Sequence, residues 1–223
     1  MKQVRPVSVC ALFFLLALFP IFANASVEEE IKKQYPLERD GEVQVKNISG
    51  KIVVTTWDRN EVKIRARKTA SSQKVLGRIN IEIDAYESSI NINTGYDKSF
   101  NSNFPFSIFS SENWSVDYEM TVPDMAEISL GSVSGNIRVN SVGGALKVES
   151  VSGEIKVVSV GKNVRAKSVS GEIYLEGIAG DTHAETVSGR ISANEIRGEV
   201  FAKTVNGVKF HNKGRKLRVK DSE

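Results

Sequence analysis

The chain has 223 residues, 40% of them hydrophobic, and carries 30 Lys and Arg against 27 Asp and Glu for a formal charge of +3. So even a balance excludes the basic surface of a nucleic-acid partner. The one cysteine, Cys10, lies in the apolar N-terminal run, which excludes a disulfide framework. Lys2 and Arg5 form a positive n-region, Val7 to Phe22 is almost wholly apolar, and Ala23-Asn24-Ala25 is a small-x-small site. This pattern predicts a secretory signal peptide over residues 1–25. A lipobox cysteine would end the apolar run, whereas Cys10 has Ala11 to Phe19 after it. Cleavage leaves 198 residues with a charge of +1, enough for one sizeable domain. No second apolar stretch is long enough to cross a bilayer, so the mature chain is expected to lack a transmembrane segment. The expected location is the periplasm, the extracellular space or the cell surface, where the fold forms without disulfides.

Ser26-Val27-Glu28-Glu29 resembles a capping box, with acids early and Lys32 and Lys33 late. Residues 26–40 are therefore expected to form a short helix and linker, stopping before Pro36. Ile48-Ser49-Gly50-Lys51-Ile52-Val53-Val54 follows, and alternating runs at Val62, Ile64 and Ala66, at Ile79, Ile81 and Ile83, at Ile90 and Ile92, and at Val116, Tyr118, Met120 and Val122 read as strands. Between them an irregular aromatic insertion, residues 97–114, holds Phe104, Phe106, Phe109 and Trp114 without strand alternation. It is expected either to close an open side of the fold or to offer an aromatic contact patch.

From Val133 the chain repeats in blocks of nine, starting at Val133, Val142, Val151, Val160, Val169, Ile178, Val187, Ile196 and Val205. Glycine holds the third place of every block but one, and the fifth and seventh places are mostly aliphatic or alanine. In a strand the fifth and seventh residues share one face, and the fourth, sixth and eighth share the other. The outward set is polar: Glu154, Lys156, Asn163, Arg165, Lys167 and Glu172. Odd blocks read Val-Ser-Gly or Val-Asn-Gly and even blocks do not, so the structural period is 18. This predicts an all-β fold, a parallel β-solenoid with two short strands per 18-residue coil over residues 41–212 and a less regular N-terminal half. Residues 213–223 form a basic tail with Lys213, Arg215, Lys216, Arg218 and Lys220, expected to be a solvated terminus, with peripheral contact to an anionic membrane surface as the alternative.

Nonapeptide β-rolls that hold calcium place an aspartate in each Gly-rich turn, and these turns carry Ser, Asn or Gly instead. His183 and His211 are the only histidines, and His183 falls at an outward position. No metal and no cofactor is expected. Glu154 and Glu172 should stack one coil apart, but with Lys156 and Arg165 near them they read as a salt-bridged solvated face rather than a catalytic pair. No catalytic residue is assigned. Arg138 and Lys156, at the same outward position one coil apart, are candidate partner-binding residues, together with Phe104, Phe106, Phe109 and Trp114.

Gly50-Lys51-Ile52-Val53-Val54, then Trp57-Asp58-Arg59, Val62-Lys63-Ile64 and Val122-Pro123, followed by serial Val-Ser-Gly-Glu-Ile units, resembles the toastrack domain family, described as adhesins of unknown function. The resemblance covers roughly residues 41–212. It implies a β-solenoid-like fold on the outer side of a membrane and an assembly role in cell-envelope stress systems, and it supplies no catalytic residues. The expected function is an exported, non-enzymatic binding or scaffold module whose partner is an envelope protein or a glycan. The alternatives are a carbohydrate-active β-helix enzyme and a self-associating structural protein of the envelope. Intact-mass analysis of the exported protein should show a chain that begins at Ser26; a species that retains Met1 or carries a lipid on Cys10 contradicts the reading of residues 1–25.

Overall fold

The computed structural model describes residues 26–97, 113–205, 208–211 and 217–221. The expected signal peptide and Phe104, Phe106 and Phe109 lie outside the described residues. The chain begins with β1 (Val27–Pro36), β2 (Glu42–Ser49), β3 (Ile52–Trp57), β4 (Glu61–Ala70), the short α1 (Gln73–Leu76), β5 (Ile79–Ala85), β6 (Ser89–Tyr96) and β7 (Trp114–Pro123). The regular part follows as β8 (Glu127–Ser134), β9 (Ile137–Val142), β10 (Leu146–Ser152), β11 (Ile155–Val160), β12 (Val164–Ser168), β13 (Ile173–Ile178), β14 (Thr182–Thr186), β15 (Ile191–Asn194), β16 (Val200–Thr204), β17 (Val208–His211) and β18 (Leu217–Asp221).

These strands form two nine-stranded sheets: sheet A in the order β1-β4-β7-β3-β9-β11-β13-β15-β17, and sheet B in the order β18-β16-β14-β12-β10-β8-β2-β6-β5. From β8 onward consecutive strands alternate between the sheets, and each pairs in parallel with the strand one coil away. From β8 to β16 the register is the 18-residue one, with Lys156 opposite both Arg138 and Tyr174, and it shortens to 17 in the last coil, where Ile191 pairs with Val208 and Val200 with Leu217. The two-strand coil and the all-β solenoid architecture therefore hold. β2 and β3 make an earlier coil, and β6 and β7 stack against it in parallel. The irregularity of the N-terminal half has a structural cause. β1, β4 and β5 join by antiparallel pairing and finish that end of both sheets.

Two expectations need correction. Residues 27–36 are not a helix but β1, paired with β4 along its whole length from Val27 opposite Ala70 to Pro36 opposite Glu61. The half-buried Val27, Ile31 and Tyr35 recur every four residues, a spacing that one helix face and one strand face share. Pairing decides it, because β1 covers the edge of β4, and its exposed acids bridge to basic residues of β4, Glu29 to Lys68 at 3.3 Å and Glu30 to Arg65. The basic tail is also not wholly outside the solenoid. Leu217–Asp221 forms β18, in parallel register with β16.

The interior is aliphatic. Leu146, Val148, Ile155, Val157 and Val160 of one coil are all within 2% of full burial, and each large one contributes roughly 1.5–3 kcal/mol. The first residue of each nonapeptide, uniform in sequence, divides in the structure. Val142, Val160, Ile178 and Ile196 are buried, while Val133, Val151, Val169, Val187 and Val205 are 47–60% exposed. The even turns are preceded by a left-handed residue, with φ of 59° at Ser141, 58° at Ser159, 68° at Gly177 and 54° at Glu195. That residue works like a bulge, shifting the alternation by one place and returning the next side chain to the core. The strands that lead into the odd turns keep strict alternation, as in β10 with Leu146, Val148 and Ser150 inward, so Val151 must point out.

Inside the odd turns Asn47, Ser132, Ser150, Ser168, Thr186 and Thr204 form a buried polar column. The Gly171 amide donates to Ser168 Oγ at 2.8 Å, the Thr186 hydroxyl donates to the Gly171 carbonyl at 3.2 Å, and the Thr204 hydroxyl to the Gly189 carbonyl at 2.6 Å. A matched pair of variants tests the phase. Val160→Asp puts a carboxylate into the core and should destabilise by several kcal/mol, whereas Val169→Asp should stay within about 0.5 kcal/mol. Denaturant melts giving equal losses would contradict the bulge.

Candidate functional site

Strict alternation along β2, β8, β10, β12, β14 and β16 makes the outer face of sheet B a grid of four columns, each stacked strand on strand. The first column is Glu42, Glu127, Ala145, Asn163, Asp181 and Glu199. The second is Gln44, Ser129, Lys147, Arg165, His183 and Phe201. The third is Lys46, Gly131, Glu149, Lys167, Glu185 and Lys203. The fourth is Ile48, Val133, Val151, Val169, Val187 and Val205, the exposed aliphatic residues at the odd turns. Adjacent strands lie about 4.8 Å apart and alternate residues about 6.6 Å apart, so the grid measures roughly 20 by 24 Å.

The columns carry definite contacts. The His183 and Phe201 rings stack with centroids 4.5 Å apart and planes 14° from parallel. Glu185 sits between two donors, with Lys167 Nζ at 2.9 Å and His183 Nε2 at 2.8 Å. Lys147 Nζ lies 3.1 Å from Glu149. Arg165 has no hydrogen-bond or ion-pair partner among the described residues. In the first column the Asp181 amide donates to Asn163 Oδ1 and the Glu199 amide to Asp181 Oδ1, each at 2.8 Å, which locks those side chains to the stack. A shallow trough of about 710 Å³ runs over the first two columns, and a second groove of about 430 Å³ runs between the third and fourth. Among the described residues no group of three or more His, Cys, Asp or Glu side chains is placed to hold a metal ion.

The residues singled out from the sequence fall elsewhere. Arg138 and Lys156 are neighbours on the outer face of sheet A, in register as their spacing requires. The Lys156 ammonium is 5.1 Å from the Tyr174 ring centroid, and the Tyr174 hydroxyl donates to Glu176 at 2.6 Å, a bond that holds the phenol proton above its ordinary pKa. Trp114 opens β7 half-buried and stacks on Tyr96 at 5.0 Å, tying sheet A to sheet B. Glu172 bridges to Arg190 at 3.6 Å. The expectation that Arg165 lies near Glu154 and Glu172 is corrected: Arg165 is in β12 on sheet B, because the chain changes sheets between positions 165 and 172. The exposure of the valine column has a signal in the sequence. Counting by twos from Leu146 places Ser150 inward and Val151 outward, while Val157 to Val160 is a step of three that only a bulge can absorb.

No family model matches the chain, and no curated protein does. Among solved structures it is similar to a candidate adhesin from Bacteroides fragilis, with 16% identity over 86% of this chain and 94% of that one and a TM-score of 0.46. It is also similar to a candidate cell adhesion protein from Clostridium sporogenes, with 11% identity over 79% and 73% and a TM-score of 0.34. A candidate lipid-binding protein from Parabacteroides distasonis is similar at 10% identity over 86% and 95%, with a TM-score of 0.24.

The Glu185 carboxyl is held below the usual carboxylate range by the hydrogen bond from Lys167 first and from His183 second. A lowered folded pKa gives stability that is full above the usual carboxylate range and is lost as pH falls through the lowered value. Glu185→Gln should therefore lower stability at pH 7 by less than about 1 kcal/mol, the site being part-exposed, and should flatten the acid limb of a pH series of denaturant melts.

Proposed function

We propose that this protein is an exported, non-enzymatic contact module of the cell envelope, of the toastrack kind that its turns resemble, and that it binds through the outer face of sheet B. The observation that carries this is the column of five exposed valines and Ile48 beside a column of alternating charge. Exposed single aliphatics are ordinary, but an unbroken apolar line rimmed by polar residues marks a contact surface. The face also carries Arg165, without an ion-pair partner among the described residues, and Phe201, residue types in which contact surfaces are rich. The face of sheet A around Arg138 and Lys156 is the rival location, and there the lysine is already engaged by Tyr174.

The test is retention on envelope fractions at nanomolar protein. Val169→Asp combined with Val187→Asp should reduce retention at least about tenfold, a loss of roughly 1.4 kcal/mol. Arg138→Asp combined with Lys156→Asp should leave it unchanged. The opposite pattern moves the contact surface to sheet A, and no loss in either variant removes both.

A further inference from the structure

We propose that the outer face of sheet B binds the same face of a second copy of this chain. The copies are related by a two-fold axis that lies in the contact plane, runs parallel to the strands, and passes between β12 and β14. This rests on the contact reading above and adds a second copy of the chain as one occupant of that face.

The argument is one of symmetry. A two-fold axis along the strands keeps every column opposite itself and reverses the order of the strands. An alternating column of even length becomes its own complement when reversed. Glu149, Lys167, Glu185 and Lys203 follow one another at single-strand steps, from β10 to β16. Reversed, Glu149 faces the partner's Lys203 and Lys167 faces the partner's Glu185, and each pair occurs twice. In the valine column Val169 then faces the partner's Val187, and Val151 the partner's Val205, so apolar surface meets apolar surface. Arg165 falls opposite the partner's His183 and Lys147 opposite the partner's Phe201, a cation over an aromatic ring. Asn163 meets the partner's Asp181, and Ala145 the partner's Glu199. No two carboxylates and no two Lys or Arg side chains face each other in any of the four columns.

The axis position is also selected. Centred between β10 and β12, the two-fold sets Lys147 against the partner's Arg165. Centred between β14 and β16, it sets Asp181 against the partner's Glu199. Centred on β12 it faces Lys167 with its own copy, and centred on β14 it does the same to Glu185. Like charges juxtaposed in an interface are strongly unfavourable, so only the axis between β12 and β14 is free of them. The interface is isologous and closes at two copies. Its footprint, on the order of 500 Å² per copy from the strand spacings, is smaller than the roughly 800 Å² per partner of a standard interface. The dimer is therefore weak and concentration-dependent.

Sedimentation equilibrium of the exported protein from about 1 μM to 1 mM, the range set by that small interface, reads the result. The wild-type protein should pass from monomer to dimer. Glu149→Lys and Lys203→Glu should each weaken the dimer at least about tenfold, since each creates two like-charge pairs. An equimolar mixture of the two variants should form a heterodimer, because each supplies the charge that the other has lost. All these positions are on the surface, so thermal melts should match wild type and separate lost contact from lost fold. A monomer at every concentration overturns the proposal, as does a dimer indifferent to both substitutions or a mixture no tighter than its components. A monomer whose envelope retention still depends on Val169 and Val187 overturns the self-pairing alone and leaves the contact reading in place.

Discussion

Each turn of this solenoid lies so close to the next that backbone touches backbone, and the rest of the architecture depends on that approach. A Cβ on Gly171 would sit 1.9 Å from the Gly153 carbonyl oxygen, a separation that no side chain can occupy. Glycine at that place is what allows successive coils to pair as parallel strands, and pairing is what satisfies their amides and carbonyls. Because the coils from β8 to β16 meet their neighbours in the same register, stability accumulates along one axis and is not gathered around a single centre. The apolar interior then follows, since a single coil has no second layer on which to bury its aliphatic residues.

The close approach has a consequence inside the turns. Turn backbone groups drawn into the interior need partners, and the column from Asn47 to Thr204 supplies them from side chains that stack with the coils. Asn47 alone donates to the carbonyls of Ser49, Gly50 and Val116, and so fastens a turn to the neighbouring coil. Two hydroxyls among the described residues, Ser132 Oγ and Thr182 Oγ1, are buried without a partner. Thr182 stands in a row whose other members are aliphatic, and the structure offers no account of its hydroxyl. By using the inward place before each odd turn for a hydroxyl, or for the amide of Asn47, the chain leaves the next place, a valine or Ile48, facing solvent. The exposed apolar column is thus tied to the way the turn is built.

The same regularity shapes what the outer face can do. A column holds one residue per coil at a fixed spacing, so any recognition on this face is arranged as a one-dimensional pattern. A pattern of alternating charge beside a uniform apolar line can distinguish one direction and one register of a partner. It does so without a deep pocket or a rigid catalytic constellation.

Much of this was determined by the sequence alone. The spacing of Val, Gly and aliphatic residues determined the 18-residue coil, the register of Arg138 with Lys156, and the inward places of Ile155 and Val157, because strand alternation and stacked turns are local rules. Tertiary structure decided whatever depended on a neighbouring strand. The four-residue spacing of Val27, Ile31 and Tyr35 fits a helix as well as a strand, and only the exposed edge of β4 makes it β1. Identical valines at 160 and 169 read alike, and a left-handed Ser159 sends one inward while the other stays outside. The sheet to which Arg165 belongs, and so the charges it faces, depends on where the chain crosses from one sheet to the other. The outer face of sheet B is assembled from residues 18 apart in sequence and one strand apart in space, and that adjacency exists only once the coils have stacked.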